Sequence, residues 1–179
     1  MLVPLAQGCE ELEAITITDL LVRAGIEVTT AGLDDLPVVA SRGITIVPDT
    51  QIQKVQDVQF DMIVLPGGLP GADHLRDNKI IQAILQKHAL ANKYVAAICA
   101  APKALAKAGL LENKTATAYP GVLDGLGLKN IKVKNTAIET DGNIITSRGP
   151  GTAMDFSLKL IELLKGSEKR HEVEKGLAR

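Results

Sequence analysis

Short, wholly apolar runs recur along this chain of 179 residues, and segments with helical spacing separate them. One run is Tyr94-Val95-Ala96-Ala97-Ile98, and another begins at Asp61 and ends in Pro66-Gly67-Gly68. A strand that is apolar on both faces must be covered on both faces, which is typical of a parallel sheet between two layers of helices. Apolar residues make up 46% of the chain and aromatic residues only 2%, so the core must consist of Val, Ile, Leu and Ala. This pattern predicts an α/β fold rather than a β-sandwich.

The order of the predicted elements indicates a flavodoxin-like, doubly wound and mostly parallel sheet sandwiched by helices. We expect a single domain over residues 1–179, in which the charged segment 165–179 forms a short solvated helix. The predicted strands are 1–6, 26–31, 61–65, 94–98, 115–118 and a pair formed by 129–136 and 137–146, and the predicted helices are 10–24, 77–90, 102–108 and 153–164.

Charge and cysteine content argue against several classes of function. The formal net charge is -1 and the basic residues are scattered, so nothing favours binding to nucleic acid or to an acidic membrane. The chain shows neither a signal peptide nor a transmembrane run, and we therefore expect Cys9 and Cys99 to be free thiols in a reducing cytoplasm. No Cys/His cluster has metal-ligand spacing, so the chemistry is expected to need neither a metal nor an organic cofactor.

Three segments that follow predicted strands should meet at one edge of the sheet. They are residues 8–13, 66–71 and 99–102, and ligands of such folds bind outside the carboxyl ends of the strands. Within them Cys99 stands between a strand and a helix, where free amides and the helix dipole favour the reactive thiolate. The alternative is that Cys99 is a small buried hydrophobe, since free cysteine is often buried.

Two further features favour chemistry at Cys99. Gly67 and Gly68 let the backbone approach a ligand closely, so the amides of Gly68 and Ala100 are predicted to stabilise an oxyanion, although a glycine pair also suits an ordinary tight turn. Glu13 lies among apolar residues near the start of a helix. A buried carboxyl tends to stay protonated and then donates a hydrogen bond to a thiolate.

The other acidic residues at this helix start need no special role. Glu10 and Glu11 are predicted to interact with the helix dipole and to belong to a solvated face.

Four blocks of this sequence resemble the ThiJ/PfpI family, in its branch of Parkinson-disease-associated protein deglycases and bacterial YajL-type proteins. The blocks follow one another in the family's order along nearly the whole chain. The resemblance implies a homodimer with a flavodoxin-like, class I glutamine amidotransferase-like fold. The blocks are Gly8-Cys9-Glu10-Glu11-Leu12-Glu13-Ala14, Leu65-Pro66-Gly67-Gly68, Ala96-Ala97-Ile98-Cys99-Ala100-Ala101-Pro102 and Thr146-Ser147-Arg148-Gly149-Pro150-Gly151-Thr152.

The resemblance also implies roles for single residues. Cys99 matches the nucleophile and oxidation-sensitive cysteine, Glu13 the acid that hydrogen-bonds it, and Gly68 and Ala100 the amides of the oxyanion pocket. Arg42 and Arg23 resemble arginines near the dimer interface and the pocket. Ordinary surface charge, or an Asp19–Arg23 pair at helical spacing, explains the two arginines equally well.

The sequence departs from the family at two places. Tyr119 stands where the disease-associated branch has a histidine, and the resemblance implies that it lines the substrate-binding pocket. A tyrosine with an ordinary pKa of about 10 is no general base near neutral pH. A Cys-His dyad is therefore not expected, and among the three histidines only His74, beyond the glycine-rich loop, is placed to approach the site. Ala100 stands where the protease-like branch has a histidine, which argues against a protease; an amidotransferase would also need a downstream histidine.

Three functions remain open from the sequence. The first is a cysteine-dependent, cofactor-independent glyoxalase or protein deglycase, a stress-protective hydrolase that acts on small reactive aldehydes or on glycated protein. The second is a redox sensor or redox-regulated chaperone that uses oxidation of Cys99. The third is a subunit-interaction protein with a vestigial pocket.

Overall fold

A seven-stranded sheet forms the centre of the protein, and the computed structural model describes all residues from Met1 to Arg179. Its strands are β1 (Leu2–Leu5), β2 (Thr29–Gly32), β5 (Thr50–Gln51), β6 (Met62–Leu65), β7 (Tyr94–Ile98), β10 (Ile138–Asp141) and β11 (Ile144–Ser147). Two small ribbons pair β3 (Val38–Val39) with β4 (Thr45–Ile46) and β8 (Thr115–Ala116) with β9 (Lys132–Val133). The helices are α1 (Glu11–Arg23), α2 (Ile52–Val55), α3 (Gly71–Asp77), α4 (Lys79–Leu90), α5 (Pro102–Lys107) and α6 (Ala153–Gly176).

The central strands are buried on both faces, as their uninterrupted apolar sequences require. In β6, Met62 and Val64 belong to the core on the side of α1 and α6, while Ile63 and Leu65 belong to the core on the side of α4 and α5. The alternation follows from the period of two in a strand. The flavodoxin-like fold predicted from the sequence is confirmed.

The strand order places the carboxyl ends of β1 and β6 side by side. Between these two strands the order in which the chain adds strands to the sheet reverses. In space the order is β10-β11-β7-β6-β1-β2-β5, with only the β10–β11 pair antiparallel. The chain winds outward from β1 to β2 and β5 and then returns to the other side of β1 as β6. Crevices at such switch points are where ligands bind in this architecture. The segments after β1, β6 and β7 therefore converge at one edge.

Several local predictions were wrong. The loop predicted before the 77–90 helix contains α3, and α4 begins only at Lys79, where the Asn78 side chain caps it by accepting from the amides of Ile80 and Ile81. The predicted pairing of 129–136 with 137–146 is replaced by a hairpin inside the second segment, in which β10 turns at residues 142–143 and pairs with β11. Only β9 of the first segment is a strand, and it pairs with β8. The sequence Asp141-Gly142-Asn143 suits a tight turn, and it therefore favours a hairpin between β10 and β11.

The end of the chain continues α6 beyond a break. Gly166 has φ 86° and ψ 169°, and the helical segment after it extends to Gly176. Val173, which follows the break, is buried in the core between the sheet and helices with residues of α1 and of the first part of α6. Arg179 forms an ion pair with Asp155 of that first part at 2.8 Å. The last segment therefore folds back along the first half of α6. No helix combines the length and apolar character needed to cross a membrane.

Candidate active site

Cys99 occupies a strained turn directly after β7. Its φ is 62°, in the left-handed region that residues with a side chain rarely adopt, and its amide donates to the Ser147 carbonyl of β11 at 2.9 Å. Only 8% of its surface is exposed. Such strain costs of order 1–3 kcal/mol and is concentrated at functional sites. The turn sets the thiol at the edge of the sheet instead of in line with the strand.

Two backbone amides lie close to the sulfur of Cys99. The amides of Gly68 and Ala100 favour the thiolate and so oppose the rise in the pKa of the thiol that burial causes. Helix α5 begins only at Pro102, three residues later, so these turn amides act on the sulfur more directly than the helix dipole that the sequence suggested. The same two amides are in position to stabilise negative charge on an oxygen attached next to the sulfur.

Gly67 makes this arrangement possible because it has no side chain. A Cβ on Gly67 would lie 2.7 Å from Cys99 Cβ, 2.9 Å from the Ala100 nitrogen and 2.9 Å from Glu13 Oε2. Gly68 is equally confined, with a Cβ position 2.3 Å from the Glu10 nitrogen and a φ of 85°. The glycine pair is thus more than an ordinary tight turn, since it brings three chain segments into contact.

Glu13 is fully buried beside Cys99. Its Oε2 accepts a hydrogen bond from the Gly67 amide at 2.7 Å, while its Oε1 has no hydrogen-bond partner. Burial raises the pKa of the Glu13 carboxyl to about 7, although the Gly67 amide and the Cys99 thiol oppose the shift. Buried polar atoms without a partner are rare and costly. The carboxyl is therefore placed to exchange a proton with the thiol or with a bound molecule.

Glu13 and Cys99 compete for a proton. Burial, followed by the negative charge of Glu13, raises the pKa of the Cys99 thiol to about 12. When Glu13 is protonated its charge is absent, the repulsion disappears, and the carboxyl becomes a donor to the thiolate. A reactive Cys99 thus requires a neutral Glu13, which the raised pKa of the carboxyl favours.

Tyr119 lies at the border of this site. Its amide donates to the Cys99 carbonyl at 2.9 Å, its ring packs against Gly149, and 54% of its surface is exposed. The half-exposed Tyr119 thus lies next to the turn that holds Cys99.

Arg42, Arg23 and His74, the remaining predicted site residues, do not bond the Cys99–Glu13 pair. Arg42 donates its backbone amide to the Glu11 carboxylate while its side chain is exposed. Arg23 is in the last turn of α1 and pairs with Asp19 at 2.7 Å, which is the helical ion pair that the sequence left open. His74 is an exposed residue of α3 whose side chain makes no hydrogen bond. None of these three side chains contributes a bond to the Cys99–Glu13 pair.

Sequence reasoning missed the environment of Glu11. It predicted a solvated face, but Glu11 is only 6% exposed and accepts bonds from the Arg42 amide and from Ser41 Oγ. The hydroxyl of Ser41 also lies 3.0 Å from Glu10 Oε2. The partners of Glu11 are about 30 residues away in the chain, so the local sequence does not reveal them. Its only local signal is that the carboxylate lies among the apolar positions of a helix start.

The second cysteine has a different environment. Cys9 is fully buried in the core on the α1 side, and burial raises the pKa of its thiol to about 11. Both cysteines are free. The environment of Cys9 suits a packing residue.

A large surface groove lies at the opposite edge of the sheet. It has a volume of about 1210 Å³ and is lined by residues at the amino ends of strands, among them Thr29, Asp61 and Tyr94. Ligands of this architecture bind at the other edge, so the groove is not the candidate active site.

The fold is that of a flavodoxin-like protein, and its candidate site is centred on the strand-end thiol of Cys99. The chain belongs to the DJ-1/PfpI family, whose profile matches residues 1–163.

Known relatives cover nearly all of the chain. Protein dj-1beta of Drosophila melanogaster is 45% identical over 177 residues, which are 98% of this chain and 95% of the relative. The crystal structure of that protein superposes with a TM-score of 0.94 over 99% of this chain and 96% of the other. The Caenorhabditis elegans protein called glutathione-independent glyoxalase DJR-1.2 is 35% identical over 96% of this chain and 91% of its own length. A structure described as Toxoplasma gondii DJ-1, oxidized, is 38% identical, with a TM-score of 0.94 over 99% of this chain and 96% of the other.

Proposed function

We propose that the protein is a cofactor-independent glyoxalase or protein deglycase with a stress-protective role, in which Cys99 is the nucleophile and Glu13 the acid and base. The observation that carries the proposal is the buried Cys99–Glu13 pair under the amides of Gly68 and Ala100. The glyoxalase named among the relatives supports a small dicarbonyl compound as the substrate. A similar reaction on an adduct of such a compound with an amine or thiol would be the deglycase activity.

The chemistry follows from the positions of these groups. The Cys99 thiolate adds to the aldehyde carbon of methylglyoxal, and the oxygen that becomes negative accepts bonds from the two amides. Glu13, which is neutral while the thiolate attacks, first gives its proton to that oxygen. As a carboxylate it then removes the proton from the same carbon and returns it at the neighbouring carbon, while the hydroxyl proton passes to the neighbouring oxygen. The first carbon is thereby oxidised to a thioester and the second is reduced to an alcohol. Water then cleaves the thioester, so that methylglyoxal and one water yield lactate and the free thiol.

Lactate formation from methylglyoxal tests this proposal. We expect steady turnover in the wild type, none above background in Cys99→Ala, and a loss of at least about a hundredfold in Glu13→Ala, since general acid–base groups typically contribute this much. Cys9→Ala is the matched control, because it removes the other buried thiol, and it should retain turnover. Equal turnover in Cys99→Ala and wild type would refute the role of Cys99.

A second candidate function is redox sensing through the same pair. Cys99 would be oxidised by a peroxide to the sulfenic or sulfinic acid, and a protonated Glu13 would donate to the product. The oxidised state of the Toxoplasma gondii relative favours this candidate. Peroxide-dependent gain of holdase activity without turnover would support the sensor, and unchanged holdase activity in peroxide would exclude it.

We also propose that two copies form a homodimer in a reducing cytoplasm, where both thiols would stay free. Helix α1 and the segment that ends the β3–β4 ribbon expose apolar side chains, including Ile15 at 48%, Val22 at 60% and, directly after β4, Val47 at 76%. Part of this set lines a single surface groove between α1 and β4, which suits burial against a second copy.

Analytical ultracentrifugation should show a dimer for the wild type and a monomer for Ile15→Asp. Leu90→Asp, at a residue 90% exposed on α4, is the control and should stay dimeric; a monomeric wild type would contradict the proposal.

A further inference from the structure

The Glu11 carboxylate is buried without a cation. It accepts the Arg42 amide at 2.9 Å and 3.1 Å and the Ser41 hydroxyl at 3.0 Å, and it forms no salt bridge. Burial raises the pKa of this carboxyl, but the hydrogen bonds from backbone amides and from Ser41 outweigh burial and lower the pKa overall. A buried charge persists only where its bonds to the surroundings are well formed. Glu11 therefore binds the turn between β3 and β4 firmly to the start of α1.

Backbone bonds reinforce the same junction. The Ser41 amide donates to the Cys9 carbonyl at 2.7 Å, and the Gly8 amide donates to the Val39 carbonyl at 2.8 Å. We call residues 39–44 together with residues 8–11 the clasp. Its two halves are about 30 residues apart in the chain, and Glu11 supplies the only side-chain carboxylate that bonds a backbone amide across it.

The clasp continues into the catalytic pair. The Glu10 amide donates to the Gly67 carbonyl at 2.9 Å, and the Gly67 amide donates to Glu13 Oε2 at 2.7 Å. A Cβ on Gly68 would overlap the Glu10 nitrogen, so no free space separates the first turn of α1 from the glycine pair. The position of this turn therefore sets the distance between the Glu13 carboxyl and Cys99.

We propose that Glu11 is a positioning residue, which holds the first turn of α1 through the clasp so that the Glu13 carboxyl meets the Cys99 thiol. The inference rests on the proposed function for the importance of that pair. Glu11 touches neither the thiol nor a substrate and acts only through Glu13. In Glu11→Gln the side-chain volume is kept, but the amide group is uncharged and offers one oxygen instead of two.

The test is a double-mutant cycle read as the rate of Cys99 alkylation by iodoacetamide at about pH 6, where Glu13 is mostly protonated, measured by mass spectrometry of the Cys99 peptide in the full chain. Glu13→Ala should slow alkylation, because the thiolate loses the hydrogen bond that the neutral carboxyl donates. Glu11→Gln should slow it by about fivefold or more in the wild-type background and by less than about twofold in the Glu13→Ala background, since coupled residues are non-additive. Ser41→Ala, which removes one bond to Glu11, should give a smaller loss in the same direction and keeps the test valid if Glu11→Gln fails to fold.

The outcomes separate the inference from the proposed function. A loss of equal size in both backgrounds would show a general structural effect and overturn the inference, as would an unchanged rate in Glu11→Gln. If Glu13→Ala leaves the alkylation rate unchanged, the inference also fails. The proposed function fails separately, through absence of lactate formation, and alkylation does not depend on that turnover.

Discussion

Gly67 shows how one missing side chain creates the site. Its nitrogen binds Glu13, its carbonyl accepts from Glu10, and the space where a Cβ would stand is already occupied by Cys99 and Ala100. The φ of Gly67 is not in the left-handed region, so another residue would meet no backbone strain there. Its requirement for glycine is therefore steric.

We expect Gly67→Ala to lower the free energy of unfolding by about 1–3 kcal/mol, which is typical of overpacking. It should also lower the Cys99 alkylation rate, because the new methyl group separates Glu13 from the thiol. Chemical denaturation and alkylation on the same samples measure both effects. Gly176→Ala is the control, since a Cβ at that glycine meets nothing within 4 Å. Wild-type stability and reactivity in Gly67→Ala would contradict the close approach described above.

At the scale of elements, α6 is two helical segments joined at Gly166. The φ of 86° and ψ of 169° belong to a backbone region essentially confined to glycine. No atom lies within 4 Å of a Cβ placed there, so a substitution would be strained only through the backbone. The break lets Val173 reach the core.

Gly166→Ala should therefore destabilise the protein by roughly 1–3 kcal/mol through backbone strain alone. Thermal or urea unfolding measures this, and the alkylation rate of Cys99 should stay at the wild-type level because the site lies at another part of the molecule. Gly176→Ala, within helical backbone, should instead be neutral or gain about 0.5–1 kcal/mol. Equal stability of Gly166→Ala and wild type would mean that the helix does not break at this glycine.

At the scale of the whole molecule, the buried Glu13 makes stability depend on pH. Its pKa is raised from the ordinary 4.5 to about 7 in the folded state, so the folded protein keeps this proton after the unfolded chain has released it. Stability therefore falls as pH rises from about 4.5 to about 7, and this contribution is constant at higher pH. Over this pH range the free energy of unfolding falls by about 3 kcal/mol through Glu13.

We expect Glu13→Gln to remove this part of the pH dependence. Urea unfolding at a series of pH values should show the wild type losing stability relative to Glu13→Gln between about pH 5 and pH 7. Glu168→Gln changes an exposed carboxyl and should follow the wild-type curve. Parallel curves for wild type and Glu13→Gln would show that the Glu13 pKa is not raised.

Much of the fold was readable from local patterns. The apolar run that became β7 was predicted with its observed limits, and the helix predicted over 10–24 is α1 with one residue fewer at each end. The positions of Cys99 and Glu13 near the edge follow from the same patterns, because strand ends and helix starts are marked within a few residues. Membership of the DJ-1/PfpI family, expected from four short blocks, is confirmed.

The features that could not be predicted from the sequence depend on contacts between residues that are far apart in the chain. The β3–β4 ribbon has two residues in each strand, too few to carry a periodic pattern, and its turn is held by Glu11 from α1. The left-handed backbone of Cys99 and the steric requirement for Gly67 arise where three segments pack against one another. The local sequence thus specified the strand-end cysteine, while the environment that governs the protonation of Cys99 and Glu13 comes from tertiary packing, because burial and hydrogen bonding to either group depend on segments remote in the chain.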